Sequence, residues 1–174
     1  LIQVNASDTS KAENSCGRFR LLIFQEFNSM TTISDFLAPN HQLCDNLFAE
    51  AEAYAAQGDW DNAATKFLDF QNALRHHFAM EEEVMFPAFE GNTGMTQGPT
   101  SMMRSEHQQM ICMLNLMADA VARKNREAYL GDADTLLIIM QQHNMKEEQM
   151  LYRMADQALA GELDEVVGRM RALA

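Results

Sequence analysis

His77-Phe78-Ala79-Met80-Glu81-Glu82 and His143-Asn144-Met145-Lys146-Glu147-Glu148 stand 66 residues apart and share one histidine, one pair of glutamates and one interval between them. His41 precedes the first of these histidines by 36 residues, and His107 precedes the second by the same 36. The chain therefore repeats a His...His-x-x-x-Glu pattern in register and uses four of its five histidines in doing so. The likeness runs past the histidines and glutamates: Gln42 and Gln108 follow His41 and His107, and Met85-Phe86 aligns with Leu151-Tyr152. Residues four apart lie on one helical face, separated by about 40° at roughly 100° per residue. Each His-x-x-x-Glu pair can thus face a single ion, and two such hairpins about a pseudo-twofold axis predict a site for two metals.

The apolar residues around these positions keep a helical period. Ile33, Leu37, Cys44, Phe48 and Ala51 predict a first helix to about Gln57, with His41 inside its stripe. Phe67, Phe70, Leu74, His77, Glu81 and Val84 trace a second, ending at about Phe86. The stretch from Gly91-Asn-Thr-Gly94 to Gly98-Pro-Thr100 reads as the loop between the repeats, with Thr100 or Ser101 capping the next helix. Met103, His107, Met110, Leu114 and Val121 mark that third helix, and Leu136, Met140, His143, Glu147, Leu151 and Met154 a fourth. With a terminal helix at about Glu162–Leu173 and no sustained alternation of strand type, the expectation is an all-α, up-and-down four-helix bundle.

Composition bounds the partners. A formal charge of −12 without a basic stripe argues against nucleic acid. No apolar run approaches the ~20 residues that cross a bilayer, so no membrane is expected. Cys16, Cys44 and Cys112 are odd in number and lack CxxC spacing, which fits free thiols and a cytoplasmic setting. Residues 1–29 begin with Leu, carry polar stretches and stop before Met30-Thr-Thr-Ile; they read as an N-terminal extension, non-native or poorly ordered, ahead of one domain at 30–174. The sequence carries no signal of oligomeric state.

Four imidazoles and two carboxylates suit iron, manganese or zinc better than calcium or magnesium. A glutamate among core positions is costly unless a partner satisfies it, and a metal does so. His41, His77, His107 and His143 are the expected terminal ligands. Glu81 and Glu147 would bridge, leaving each ion about four protein donors and open positions for a small molecule. Glu82 and Glu148 also repeat, but at i+5 they turn about 140° from the histidine. With Glu83 they are expected on a solvated face or behind the ligand histidines, and Glu82→Ala to leave metal content unchanged. His76 has no counterpart, since position 142 is Gln, and is not expected to bind metal. Met80, Met85, Met110, Met140 and Met145, near the ligands, are expected to fill core space, and Cys44 to act as a small buried hydrophobe.

His41, His77-Phe-x-x-Glu81-Glu-x-x-Met-Phe-Pro87, Glu106-His107 and His143-x-x-x-Glu147-Glu-x-x-Leu-Tyr together resemble the haemerythrin-like cation-binding domain, over Thr31 to about Ala158. The resemblance implies a haemerythrin-like bundle with two non-haem iron ions that meets dioxygen, nitric oxide or hydrogen peroxide. Oxygen-carrying members have a further histidine where Ile111 stands and an aspartate where Glu148 stands. The present arrangement is similar to members linked to repair of iron centres or removal of peroxide. The resemblance implies three roles as expectations: an enzyme acting on a small oxidant, a reversible oxygen-binding or sensing module, and an iron reservoir or donor. Ferritin-type storage ranks lower, because its Glu-x-x-His order is the reverse of the order here.

Overall fold

Thr32 opens the first helix by accepting a hydrogen bond from the Asp35 amide on its hydroxyl, 2.9 Å, which satisfies one of the free N–H groups of a helix start. The computed structural model describes residues 31–173, so the reading of residues 1–29 lies outside the described residues. Helix α1, Ile33–Gln57, ends at Gly58, whose φ of 77° is the left-handed conformation that a glycine adopts without strain. Asp59 caps α2, Trp60–Met80. That helix runs without a break through a wide turn, Glu81–Met85, into α3, Phe86–Thr93. After a short loop come α4, Pro99–Ala122, and α5, Arg126–Lys146, capped by Asn125. A second wide turn, Glu147–Leu151, leads into α6, Tyr152–Ala158, and the chain continues to α7, Leu163–Arg171.

Helix α1 packs on α2, α4 on α5, α1 on α5 and α2 on α4, closing the four-helix bundle that the hydrophobic pattern implied. The short α7 lies against the first wide turn and α1. The second helical rod reaches Thr93 rather than Phe86, because Phe86 and Phe89 are fully buried and continue the apolar face. The next helix starts at Gly98 without a side-chain cap. Thr100, expected to cap it, donates its hydroxyl to Glu90 at 2.6 Å, and Arg104 pairs with the same carboxylate.

The core is divided in two. One apolar cluster gathers Cys44, Phe48, Phe70, Leu74, Met110, Leu114, Leu136 and Met140. The other gathers Ile33, Leu37, Met80, Met85, Phe86, Met103, Leu151 and Tyr152. Along every long helix the ligand position falls between residues of the two clusters, so a polar layer separates them. Met80, Met85, Met110 and Met140 fill core as expected, whereas Met145 is 50% exposed. Burial, with the charges of Asp45 and Glu81, pushes the Cys44 thiol up to about 12, which leaves it protonated and unreactive.

Candidate metal centre

His41, His77, Glu81, His107, His143 and Glu147 are all buried in that polar layer, one histidine from each of the four long helices. Among the described residues two groups of donor atoms could each hold an ion, with all atoms of a group within 4.8 Å of one another: Glu81, His107, His143 and Glu147 in one, and His41, His77 and Glu147 in the other. All six residues expected from the repeat are therefore brought together. His76 is half-buried and belongs to neither group.

Both wide turns start at a site glutamate. The Phe86 amide bonds to the Glu81 carbonyl and the Tyr152 amide to the Glu147 carbonyl, an i to i+5 pattern at matching points of the repeat. This departs from the regular helix on which the i+4 and i+5 angles rest, with a clear effect. The His-to-Glu interval stays α-helical, while the extra residue shifts the phase beyond it and sends Phe86 and Tyr152 inward.

The imidazoles of three site histidines point Nε2 inward and Nδ1 outward. His41 Nδ1 meets Glu148 at 2.7 Å, His107 Nδ1 meets Glu82 at 2.7 Å, and His143 Nδ1 meets Glu106 at 3.0 Å. A carboxylate there holds the proton on Nδ1 and leaves Nε2 with a free lone pair, the tautomer that a metal needs. Yet His107 and His143 bring their Nε2 atoms to 3.2 Å, and His41 and His77 to 3.0 Å. Two lone pairs at that distance repel unless one ring is protonated or a cation lies between them. Among the described residues Glu81 Oε2 and Glu147 Oε1 are also buried without a hydrogen-bond partner, an expensive state for carboxylates. Converging imidazole nitrogens and carboxylate oxygens without a hydrogen-bond partner together fit a metal of the borderline class.

Glu82 and Glu148 thus stand behind the ligand histidines, one of the two places expected for them, and Glu83 is exposed. The hydrogen bond to His107 revises the expectation for Glu82→Ala, which removes the group orienting a ligand and costs roughly ten- to a hundredfold in affinity. Two further residues escaped the sequence reading as site members. Glu106 is held by Lys146 as well as by His143. The Tyr152 hydroxyl donates to Glu81 Oε1 at 2.7 Å, with Glu147 Oε2 at 3.0 Å and His41 Nε2 at 3.1 Å. The signals for them were the Glu106-His107 dipeptide and the hydroxyl that distinguishes Tyr152 from its repeat partner Phe86.

Protons occupy the site when metal does not. Burial works to lower the His143 pKa, but the Glu147 and Glu106 carboxylates outweigh it and raise it to about 9. Burial likewise acts to raise Glu147, but hydrogen bonds from His143 and His41 bring it down to about 2. His77 is lowered to about 3 by burial and by the neighbouring histidines, so it is neutral. For the metal-free fold, the Glu147 contribution is present above its unfolded value of about 4.5 and is lost as pH falls toward 2. The His143 contribution is present below 6.5 and is lost as pH rises through about 9. Metal uptake must displace the His143 proton, so affinity for Co(II) is expected to rise with pH from 7 to about 9 and then level off. Proton release in a weakly buffered titration measures this, and a pH-independent affinity across that range would contradict it.

A helical bundle with a buried layer of histidine and glutamate between two apolar half-cores defines a metal-binding protein. The model of the hemerythrin HHE cation-binding domain matches residues 32–155, and the chain belongs to that family. Searches of curated proteins and of solved structures find no match.

Proposed function

We propose that this chain is a non-haem di-iron protein that binds or reacts with a small oxidant: dioxygen, nitric oxide or hydrogen peroxide. In this reading His41, His77, His107 and His143 would be the terminal ligands, Glu147 would serve both ions, and Glu81, which the repeat alone suggests as a second bridge, would serve the His107–His143 position. The observation that carries it is Glu147, the one residue common to both groups of donors, placed between the two histidine pairs. Iron is the metal this family typically binds. When bound, such a pair supplies redox change and open positions for a diatomic or peroxide ligand.

The chain's own residues set the conditions for that chemistry. The apolar clusters on either side exclude water from the layer. Tyr152 places a hydroxyl proton beside both carboxylates, and burial, together with the charges of Glu81 and Glu147, holds its pKa well above 10, so the proton is retained for hydrogen bonding. A surface pocket of about 210 Å³ lined by Arg75, Phe78, Ala79, Glu82, Glu83 and Ile111 comes within one side chain of the layer. Two of its walls touch His107: Phe78 stacks on the ring at 3.9 Å, and Glu82 binds Nδ1. On this reading a small uncharged ligand would approach from this side. Isoleucine at 111 adds no donor, which favours turnover over reversible carriage. The free thiols of Cys44 and Cys112 are compatible with a cytoplasmic setting, and no described helix is long and apolar enough to cross a membrane.

The test is the optical spectrum of anaerobic Fe(II)-loaded protein, recorded after one equivalent of oxygen and again after its removal. An irreversible change supports reaction with oxidants. A band that reverses establishes a binding module instead. Iron that leaves to a chelator with no oxidant-dependent change supports the reservoir reading.

A further inference from the structure

The repeat is strict in its ligands and broken around them. Glu106 precedes His107 and accepts from His143 Nδ1; the corresponding residue before His41 is Asn40. Asn40 turns its amide onto the Phe36 carbonyl at 3.0 Å, and among the described residues His77 Nδ1 is left buried with no partner. Asp45, one turn beyond His41, does not supply one, since its own buried Oδ1 is also without a partner. Lys146, which fixes Glu106, is replaced by Met80 at the matching position. Three of the four site histidines thus carry an outer carboxylate, and His77 does not.

From this asymmetry we infer that the two metal positions are unequal: the His107–His143 position binds the tighter ion, and Asn40, standing where its repeat partner is Glu106, makes the His41–His77 position the weaker. The inference rests on the two-metal reading. Three physical effects act in one direction. An imidazole whose Nδ1–H faces a carboxylate is the stronger donor at Nε2, and His77 lacks that support. With Nδ1 unpartnered, nothing holds the His77 proton away from Nε2, the atom that lies 3.0 Å from His41 Nε2 and must be freed before it can ligate a metal. Finally, Tyr152 engages Glu81 Oε1 and sits against His41, on the side where Glu81 is missing from the donor group; its counterpart Phe86 brings no hydroxyl to the other side. The weaker position therefore fills last and empties first.

Anaerobic titration with Co(II) alone, read by visible absorption and by equilibrium dialysis, tests this. Two steps are expected, with dissociation constants at least about tenfold apart. His143→Ala should remove the tighter step and His77→Ala the weaker. Asn40→Glu should tighten the weaker step by about tenfold and leave the other unchanged, while Glu106→Gln should weaken the tighter step by a similar factor. Two equivalents of equal affinity, or an Asn40→Glu effect on the tighter step, would overturn the inference and leave the two-metal reading intact. Saturation at a single equivalent would overturn the two-metal reading and this inference with it. Circular dichroism of each variant separates loss of fold from loss of metal, and Glu106→Gln carries the test alone if Asn40→Glu does not fold.

Discussion

Replacing Glu147 with alanine is expected to remove more metal than any other single change, leaving at most one ion per chain after desalting. Glu147 is the only side chain common to both donor groups, with Oε2 at 3.2 Å from both His41 Nε2 and His143 Nε2. Its loss takes a donor from each position and leaves the His41–His77 group with imidazoles alone. Losing an inner carboxylate should exceed the roughly ten- to hundredfold cost of losing an outer partner such as Glu82. Glu83→Ala, at an exposed position outside both groups, is the control and should retain full metal. Metal analysis after dialysis decides the matter, and equal losses in Glu147→Ala and Glu83→Ala would sink the assignment.

Metal should also stabilise the fold strongly, because the unfolded chain cannot assemble the layer. At a hundredfold excess of free metal over its dissociation constant, each position contributes about 2.7 kcal/mol. For a domain of this size, at ~3 °C per kcal/mol, the melting temperature should rise by roughly 8 °C for each position filled. The metal also relieves Glu81 Oε2 and Glu147 Oε1 of their unpartnered burial, which adds to the shift. Differential scanning fluorimetry with Fe(II) or Co(II), and then with chelator, measures it. A shift below about 2 °C at saturating metal would contradict a buried, structure-spanning site.

The repeat in the sequence made the bundle and the inner ligands legible. Spacing of His41, His77, His107 and His143 within apolar stripes places each on an inward face, and a glutamate four residues on shares that face wherever the helix is regular. What lay beyond reading depended on contacts between helices. Glu82 serves His107 and Glu148 serves His41, pairings across the bundle that no local period encodes. Thr100 looked like a cap because local chemistry allows it, but Glu90, ten residues earlier, competes successfully for its hydroxyl. The wide turns were hidden for a different reason. Glu81–Met85 and Glu147–Leu151 contain ordinary helix formers, and only the demand that residues on both sides face inward reveals the additional residue.

Those turns make each of the two rods that carry a site glutamate a shaft with a slip joint. The segment before the joint is keyed to the histidine and glutamate; the segment after it is keyed to the apolar cap formed by Phe86, Phe89, Tyr152 and Ala155. The joint absorbs the angular mismatch between the two segments, so the cap meets the layer from above, with Phe86 stacked on His107 and Tyr152 on His41. Among the four cap residues, Tyr152 alone reaches back across the joint to the carboxylates, so the chemical character of the layer can be altered from the cap side at a single position.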